Sequence, residues 1–155
     1  MNKFTKFISA VGICFVAAGV GSIATFSQIP TWYTTIVKPT WNPPKWLFGP
    51  VWTLLYLLMA ISLFLLWTNK NKFKTSAVNI FYIQLVLNVA WSWIFFGWHR
   101  LDIALIEIVV LWVAIIKTII YSYKVNKTAG LVLIPYVIWV SFAGFLNYTI
   151  WMLNK

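Results

Sequence analysis

Five apolar runs, each long enough to cross a bilayer, dominate this chain: about residues 6–27, 46–68, 77–98, 101–123 and 128–153. A helix needs roughly 20 residues to cover about 30 Å of hydrocarbon. Lipid offers the backbone no hydrogen-bond partners, so each run must close its bonds within itself, as a helix. Composition agrees, with 62% hydrophobic and 9% charged residues. A soluble domain carries about 25% charge, and a water-facing surface cannot be coated with so little. The expectation is an all-α membrane protein with one domain spanning 1–155: a five-transmembrane-helix bundle with a long loop between helices 1 and 2. The first run follows Lys3 and Lys6 as a signal peptide would. At about 20 residues it outlasts the usual signal core and reads as a retained span.

The net charge of +10 does not make a nucleic-acid patch. The lysines flank the apolar runs, as they do around membrane spans. Lys3, Lys6, Lys70, Lys72, Lys74, Lys124 and Lys127 fall on one side of a five-span topology, and Lys38, Lys45, Arg100 and Lys155 on the other. The excess of positive charge on cytoplasmic loops then places the N-terminus in the cytoplasm and the C-terminus outside. Eleven of the twelve basic residues are Lys, which fits an AT-rich genome and a bacterial cell membrane. Cys14 is the only cysteine and His99 the only histidine. No intramolecular disulfide and no metal-ligand cluster can be built from them.

One connection is unusual. Gln28–Lys45 carries Pro30, Pro39, Pro43 and Pro44 with Trp32, Tyr33 and Trp41. A loop this long in a compact protein is functional or disordered. Its aromatics fit either a packed lid or an interfacial belt. Pro44 suits the start of the second helix. Pro50 and Pro135 either bend their helices or merely open them. In helix 1, Ala17 and Gly21, with Ala18 and Ser22, form a small-residue surface for close helix packing.

Polar groups inside a span are costly, and so mark functional candidates. Helix 3 carries Gln84, Asn88 and Ser92 at steps of four, on one face, with Trp91 beside them. Helix 5 repeats the pattern with Trp139, Ala143 and Asn147, next to Leu146. Helix 2 offers Trp52 and Tyr56. If the three stripes converge, they make an apolar pocket with flat walls and a few hydrogen-bond donors, suited to a large planar ligand. The competing explanation is that the amides only join helices. Trp52, Trp91, Trp93, Trp112 and Trp139 lie too deep in the spans to be interfacial anchors. Glu107 lies about two turns into helix 4, as a proton-relay carboxylate or as a neutral or paired group. Asp102 beside Arg100 fits a local ion pair. No nucleophile triad or phosphate-binding loop is present.

The run Lys38-Pro39-Thr40-Trp41-Asn42-Pro43-Pro44, continued by Gly49-Pro50-Val51-Trp52 and Tyr56, resembles the signature of the translocator protein family. Members are also called tryptophan-rich sensory proteins or peripheral-type benzodiazepine receptors. Asn88, Trp91, Phe95-Phe96-Gly97, Pro135-Tyr136, Trp139, Ala143 and Leu146-Asn147-Tyr148 fit in order and spacing. The resemblance implies a five-helix bundle, often a homodimer, whose pocket is closed by the first long loop. It implies protoporphyrin IX, related tetrapyrroles and benzodiazepine-type or isoquinoline-carboxamide compounds as ligands, with no obligatory cofactor. Carried over by motif, the ligand-binding set is Tyr33, Pro43, Trp52, Asn88, Trp91, Ser92, Trp139, Ala143, Leu146 and Asn147. Trp52 and Asn88 would donate hydrogen bonds to a ligand carbonyl. Some members are reported to degrade protoporphyrin with light and oxygen, which would make Trp52 and Trp139 catalytic.

Mammalian members also carry a cholesterol-recognition motif at this end of helix 5. Here the spacing from Tyr148 to Lys155 is one residue too long for it, which argues against cholesterol. Three functions compete: a membrane tetrapyrrole receptor, a porphyrin-degrading enzyme, and a porphyrin or lipid transporter. Few ionisable groups and no internal repeat disfavour the last.

Overall fold

The computed structural model describes residues 2–155 as helices joined by short turns and one long loop. In chain order these are α1 (Lys3–Phe26), α2 (Trp32–Thr35), α3 (Lys45–Thr68), α4 (Lys74–Ser92), α5 (Leu101–Val125), α6 (Lys127–Leu131) and α7 (Ile134–Leu153). A π-helical turn, Trp93–Gly97, extends α4. Five helical segments are long and apolar enough to cross a membrane: α1, α3, α4 with its π turn, α5, and α6–α7 taken together. The outward surface is correspondingly greasy, with Val16, Ile23, Val86, Ile106 and Ile138 all exposed. The protein is an integral membrane protein.

Local chemistry sets the helix ends. Asn2 caps α1, its Oδ1 accepting from the Thr5 backbone N–H at 2.8 Å, which satisfies an otherwise orphaned donor. Pro44 is the N-cap of α3, with Lys45 its first residue. One feature departs from the sequence expectation. The fifth span is not one helix: a turn at Val132 and Leu133 divides α6 from α7, and Pro135 falls at the start of α7. Pro135 therefore opens a helix, whereas Pro50 lies inside α3. The short α6 packs hard on α5, and only a glycine fits there. A Cβ on Gly130 would lie 2.7 Å from the Tyr123 Cβ and 2.9 Å from the Ile119 carbonyl oxygen.

Neighbours in the bundle run α3, α1, α4, α5, α7, with α6 reaching back to α3. Ser62 donates to the Ala129 carbonyl at 2.7 Å across the α3–α6 contact. This closes the bundle at the end holding the N-terminus, called the inner end below. Met59, Leu63, Phe81, Leu111, Ile115 and Leu133 fill that half and are essentially fully buried. At the other, outer end α3 and α7 scarcely meet, and a hollow remains. Close packing of the small residues of α1 falls within the chain: a Cβ on Gly21 would stand 3.4 Å from the Ser92 Oγ of α4.

Candidate functional site

The hollow is a cavity of about 410 Å³, within the few hundred to about 1,000 Å³ typical of ligand pockets. Trp52 and Tyr56 of α3, Asn88, Trp91 and Ser92 of α4, and Trp139, Ala143, Leu146 and Asn147 of α7 all line it. The three stripes read from the sequence therefore converge. Tyr33 reaches in from α2, and Phe95 and Phe96 from the π turn. Pro43 is the exception in the expected set. It is buried in the loop but does not line the cavity. Its carbonyl instead accepts from Asn42 Nδ2 at 3.1 Å. Gln84, one turn below Asn88, also lies outside the lining. Its Nε2 donates to the Met59 sulfur at 3.9 Å, and its Oε1 has no partner among the described residues.

A whole wall escaped the sequence reading. Ala18, Gly21, Ser22 and Thr25 of α1 line the cavity between Phe15 and Phe26, and these four carry neither aromatic nor amide groups to signal it. The small-residue steps at 17/21 and 18/22 were the available clue. The π turn is equally unmarked in sequence. It moves Phe95 and Phe96 onto the cavity, as such turns often do at functional sites.

Two hydrogen-bond chains stiffen the floor and back. The Tyr56 hydroxyl donates to Asn88 Oδ1 at 2.6 Å, and Asn88 Nδ2 donates to the Tyr136 hydroxyl at 2.8 Å. The Trp91 indole N–H donates to Asn147 Oδ1 at 3.1 Å, and Asn147 Nδ2 donates to the Leu101 carbonyl at 3.0 Å. The amides thus join helices and line the cavity at once. Asn88 spends one of its two amide protons on Tyr136, which leaves one for a ligand. Among the described residues no hydrogen bond engages the indole N–H of Trp52 or Trp139, although both rings face the hollow. Trp93 and Trp112 face outward: Trp93 opens the π turn that ends its span, and Trp112 lies midway along α5. Their N–H groups donate to the Val20 carbonyl at 3.1 Å and to Ser141 Oγ at 2.8 Å.

The loop after α1 is packed over the outer end. Trp32 stacks on His99 at 4.1 Å with an 11° interplanar angle. The Tyr33 ring lies 5.6 Å from Phe96, and its hydroxyl donates to Asn42 at 2.8 Å. Burial pushes the Tyr33 phenol up to about 12, against the opposing pull of Asn42. Trp41 stacks on Phe145 at 5.3 Å. Lys38 folds back to donate to the Tyr33 and Ile36 carbonyls at 2.6 and 2.8 Å. Burial and, secondarily, the charge of Lys45 hold its pKa below the usual range. Sequence reading missed Asn154. Its side-chain amide accepts from the Val37 N–H at 2.9 Å and donates to the Val37 carbonyl at 2.8 Å. That pair ties the loop to the end of α7.

Arg100 and Asp102 form the expected pair, bidentate at 2.8 and 3.0 Å and exposed. Neither carboxylate oxygen of Glu107 has a partner among the described residues.

Comparison with known proteins gives this architecture a family. The TspO/MBR family model matches residues 10–152. The chain is 45% identical to "Tryptophan-rich protein TspO" of Chlorobaculum tepidum, over 99% of both chains. It is 36% identical to the human "Translocator protein", over 91% of this chain and 83% of that one. It is 32% identical to "Tryptophan-rich sensory protein" of Cereibacter sphaeroides, over 96% of this chain and 90% of that one. A match across nearly the whole length, on a bundle with five spans long and apolar enough to cross a membrane, has one meaning: the chain is a member of the TspO/MBR family.

Proposed function

We propose that this protein is a membrane receptor for a flat tetrapyrrole of the protoporphyrin IX type, which it holds in the outer-end cavity. The observation that carries the reading is the lining itself. Trp52, Trp91 and Trp139 offer broad aromatic faces, while the N–H groups of Trp52 and Trp139 are left unspent. A macrocycle is apolar over its faces and polar at its edges. Aromatic walls with a few convergent donors match that pattern. Trp52, Asn88 and Trp139 are the proposed donors, and Tyr33, Trp91, Ser92, Ala143, Leu146 and Asn147 shape the walls. Benzodiazepine-type and isoquinoline-carboxamide compounds, also flat with a polar edge, would occupy the same space. The packed loop acts as the lid. No cofactor is needed for binding, and surrounding lipids complete the outer surface.

The test is a titration of protoporphyrin IX in the dark, read by its absorption and by tryptophan quenching. Wild type should saturate at one porphyrin per chain, and Ala143→Trp, which fills the cavity, should bind at least tenfold more weakly. Equal binding by the two would remove the cavity from the account.

A second reading adds chemistry. Trp52 lies 5.9 Å from Tyr56 and 6.4 Å from Tyr136, ring centre to ring centre. Such a chain of oxidisable rings favours light-driven oxidation of the bound porphyrin, with dioxygen as the oxidant. Illumination in air should then bleach the porphyrin in wild type but not in Trp52→Phe or Trp139→Phe. An unchanged spectrum in wild type leaves binding alone. Flux of porphyrin into sealed vesicles would instead revive transport. The cytoplasmic N-terminus and the homodimer belong to the same proposal, to be read by protease accessibility in oriented vesicles and by cross-linking.

A further inference from the structure

The inner end carries a feature that the cavity does not use. Lys6 of α1 and Lys74 of α4 both donate to one acceptor, the Trp67 carbonyl near the end of α3, each at 3.0 Å. The two ammonium groups therefore lie no more than about 6 Å apart, where like charges repel. Lys72 and Lys124 add to the crowd, both placed 5.2 Å from the centre of the Phe73 ring. No carboxylate answers them. The chain's only acids are Asp102 and Glu107, both early in α5, and at least about 25 Å of helix separates Lys124 from the nearer one.

A second observation lies roughly two to three turns farther along α4. Tyr82, Ile83, Val86 and Leu87 of α4 line a shallow, wholly apolar groove of about 310 Å³. Tyr82 and Leu87 form its inner edge, packed against the core, while Ile83 and Val86 are exposed. From Lys74 to Val86 the helix rises about 18 Å, close to the roughly 15 Å depth of one bilayer leaflet.

We infer that the paired ammonium groups of Lys6 and Lys74, with the apolar groove above them on α4, form a binding site for one anionic phospholipid. The phosphate would bridge the two lysines and supply the missing counter-charge. One acyl chain would lie along Tyr82–Leu87. A free phosphate would satisfy the lysines but leave the groove empty, so a lipid is the occupant that accounts for both. Each lysine near a lipid headgroup is worth about a fivefold preference, so the pair should give roughly 25-fold.

The experiment uses the full chain in neutral detergent. Phosphatidylglycerol and phosphatidylcholine with identical acyl chains compete for it, and retained lipid is counted by native mass spectrometry. The expected result is about a 25-fold preference for phosphatidylglycerol. That preference should vanish in the Lys6→Gln/Lys74→Gln double variant, survive in Lys6→Arg/Lys74→Arg, and weaken as salt rises. Val86→Trp, which fills the groove, should lower retention of phosphatidylglycerol. Equal retention of the two lipids by wild type overturns the site. So does a full preference in the double Gln variant. Should that variant fail to fold, a preference in wild type indifferent to salt overturns it equally. Displacement of phosphatidylglycerol by millimolar inorganic phosphate would make this a free-anion site and overturn the lipid.

Discussion

The two ends of this bundle are made of the same kinds of helix and do opposite things. The inner half is dense: Met59, Leu63, Phe81, Leu111 and Ile115 close on one another, and α6 plugs the gap between α3 and α7. The outer half has no such plug, and its side chains line a hollow of about 410 Å³. Large aromatic side chains are therefore not enough to fill a membrane interior. Where α3 and α7 are held apart, rings that would have formed a core become walls. Stability and binding should separate along the same line, because protein interiors lose energy for every void opened in a packed region.

The largest effect expected is at the packed end. Leu63→Ala or Met59→Ala should cost about 2–5 kcal/mol of stability, seen as lost thermal stability in detergent, with the porphyrin affinity of the surviving folded protein little changed. Trp52→Ala, which enlarges an existing hollow, should do the reverse: a small loss of stability and a large loss of binding. If the Leu63 and Trp52 variants lost stability equally, the contrast between the two ends would break. Next is Gly130→Ala. It forces a methyl against the Tyr123 Cβ and the Ile119 carbonyl, and should cost about 1–3 kcal/mol, as overpacking does. Gly49→Ala near the cavity, where a Cβ meets nothing within 4 Å, should cost much less.

A more local effect is expected at the loop over the outer end. Asn154→Ala removes two hydrogen bonds that hold Val37, together about 1–3 kcal/mol. It should speed amide exchange across 28–45 and raise the porphyrin off-rate about five- to a hundredfold, with little change in melting temperature. The smallest effect concerns pH. Burial raises the folded-state pKa of Tyr33 to about 12, above the ordinary phenol value of about 10. Its contribution to holding the loop packed over the outer end is therefore fully present below about pH 10 and is lost as pH rises toward about 12. Tryptophan fluorescence of the lid should change over that window in wild type and stay flat there in Tyr33→Phe. A transition that persists in the variant would assign it to another group.

Much of this was legible before any coordinates. The spans were readable because lipid forbids any other arrangement of an apolar run; the structured ends fall within a few residues of those read from hydropathy. The stripes through Asn88, Trp139 and Trp52 were readable because a step of four keeps residues on one helix face. What failed were features that depend on a second element. Nothing in the sequence around Asn88 names Tyr56 and Tyr136 as its partners. The depth of Trp93 and Trp112 in their spans did not say which way their side chains face, and both face outward. The α1 wall is mostly small side chains between Phe15 and Phe26, and the turn at Val132–Leu133 is made of ordinary apolar residues, so neither carries a clear periodic signal.

Whether the outer hollow is the porphyrin site is read from a structure of the protein soaked with protoporphyrin IX in the dark. The expected result is a flat density between Trp52, Trp91 and Trp139, with Tyr33 closed above it and Asn88 still bonded to Tyr136. A porphyrin found only on the lipid-facing surface, with the cavity empty, would contradict it.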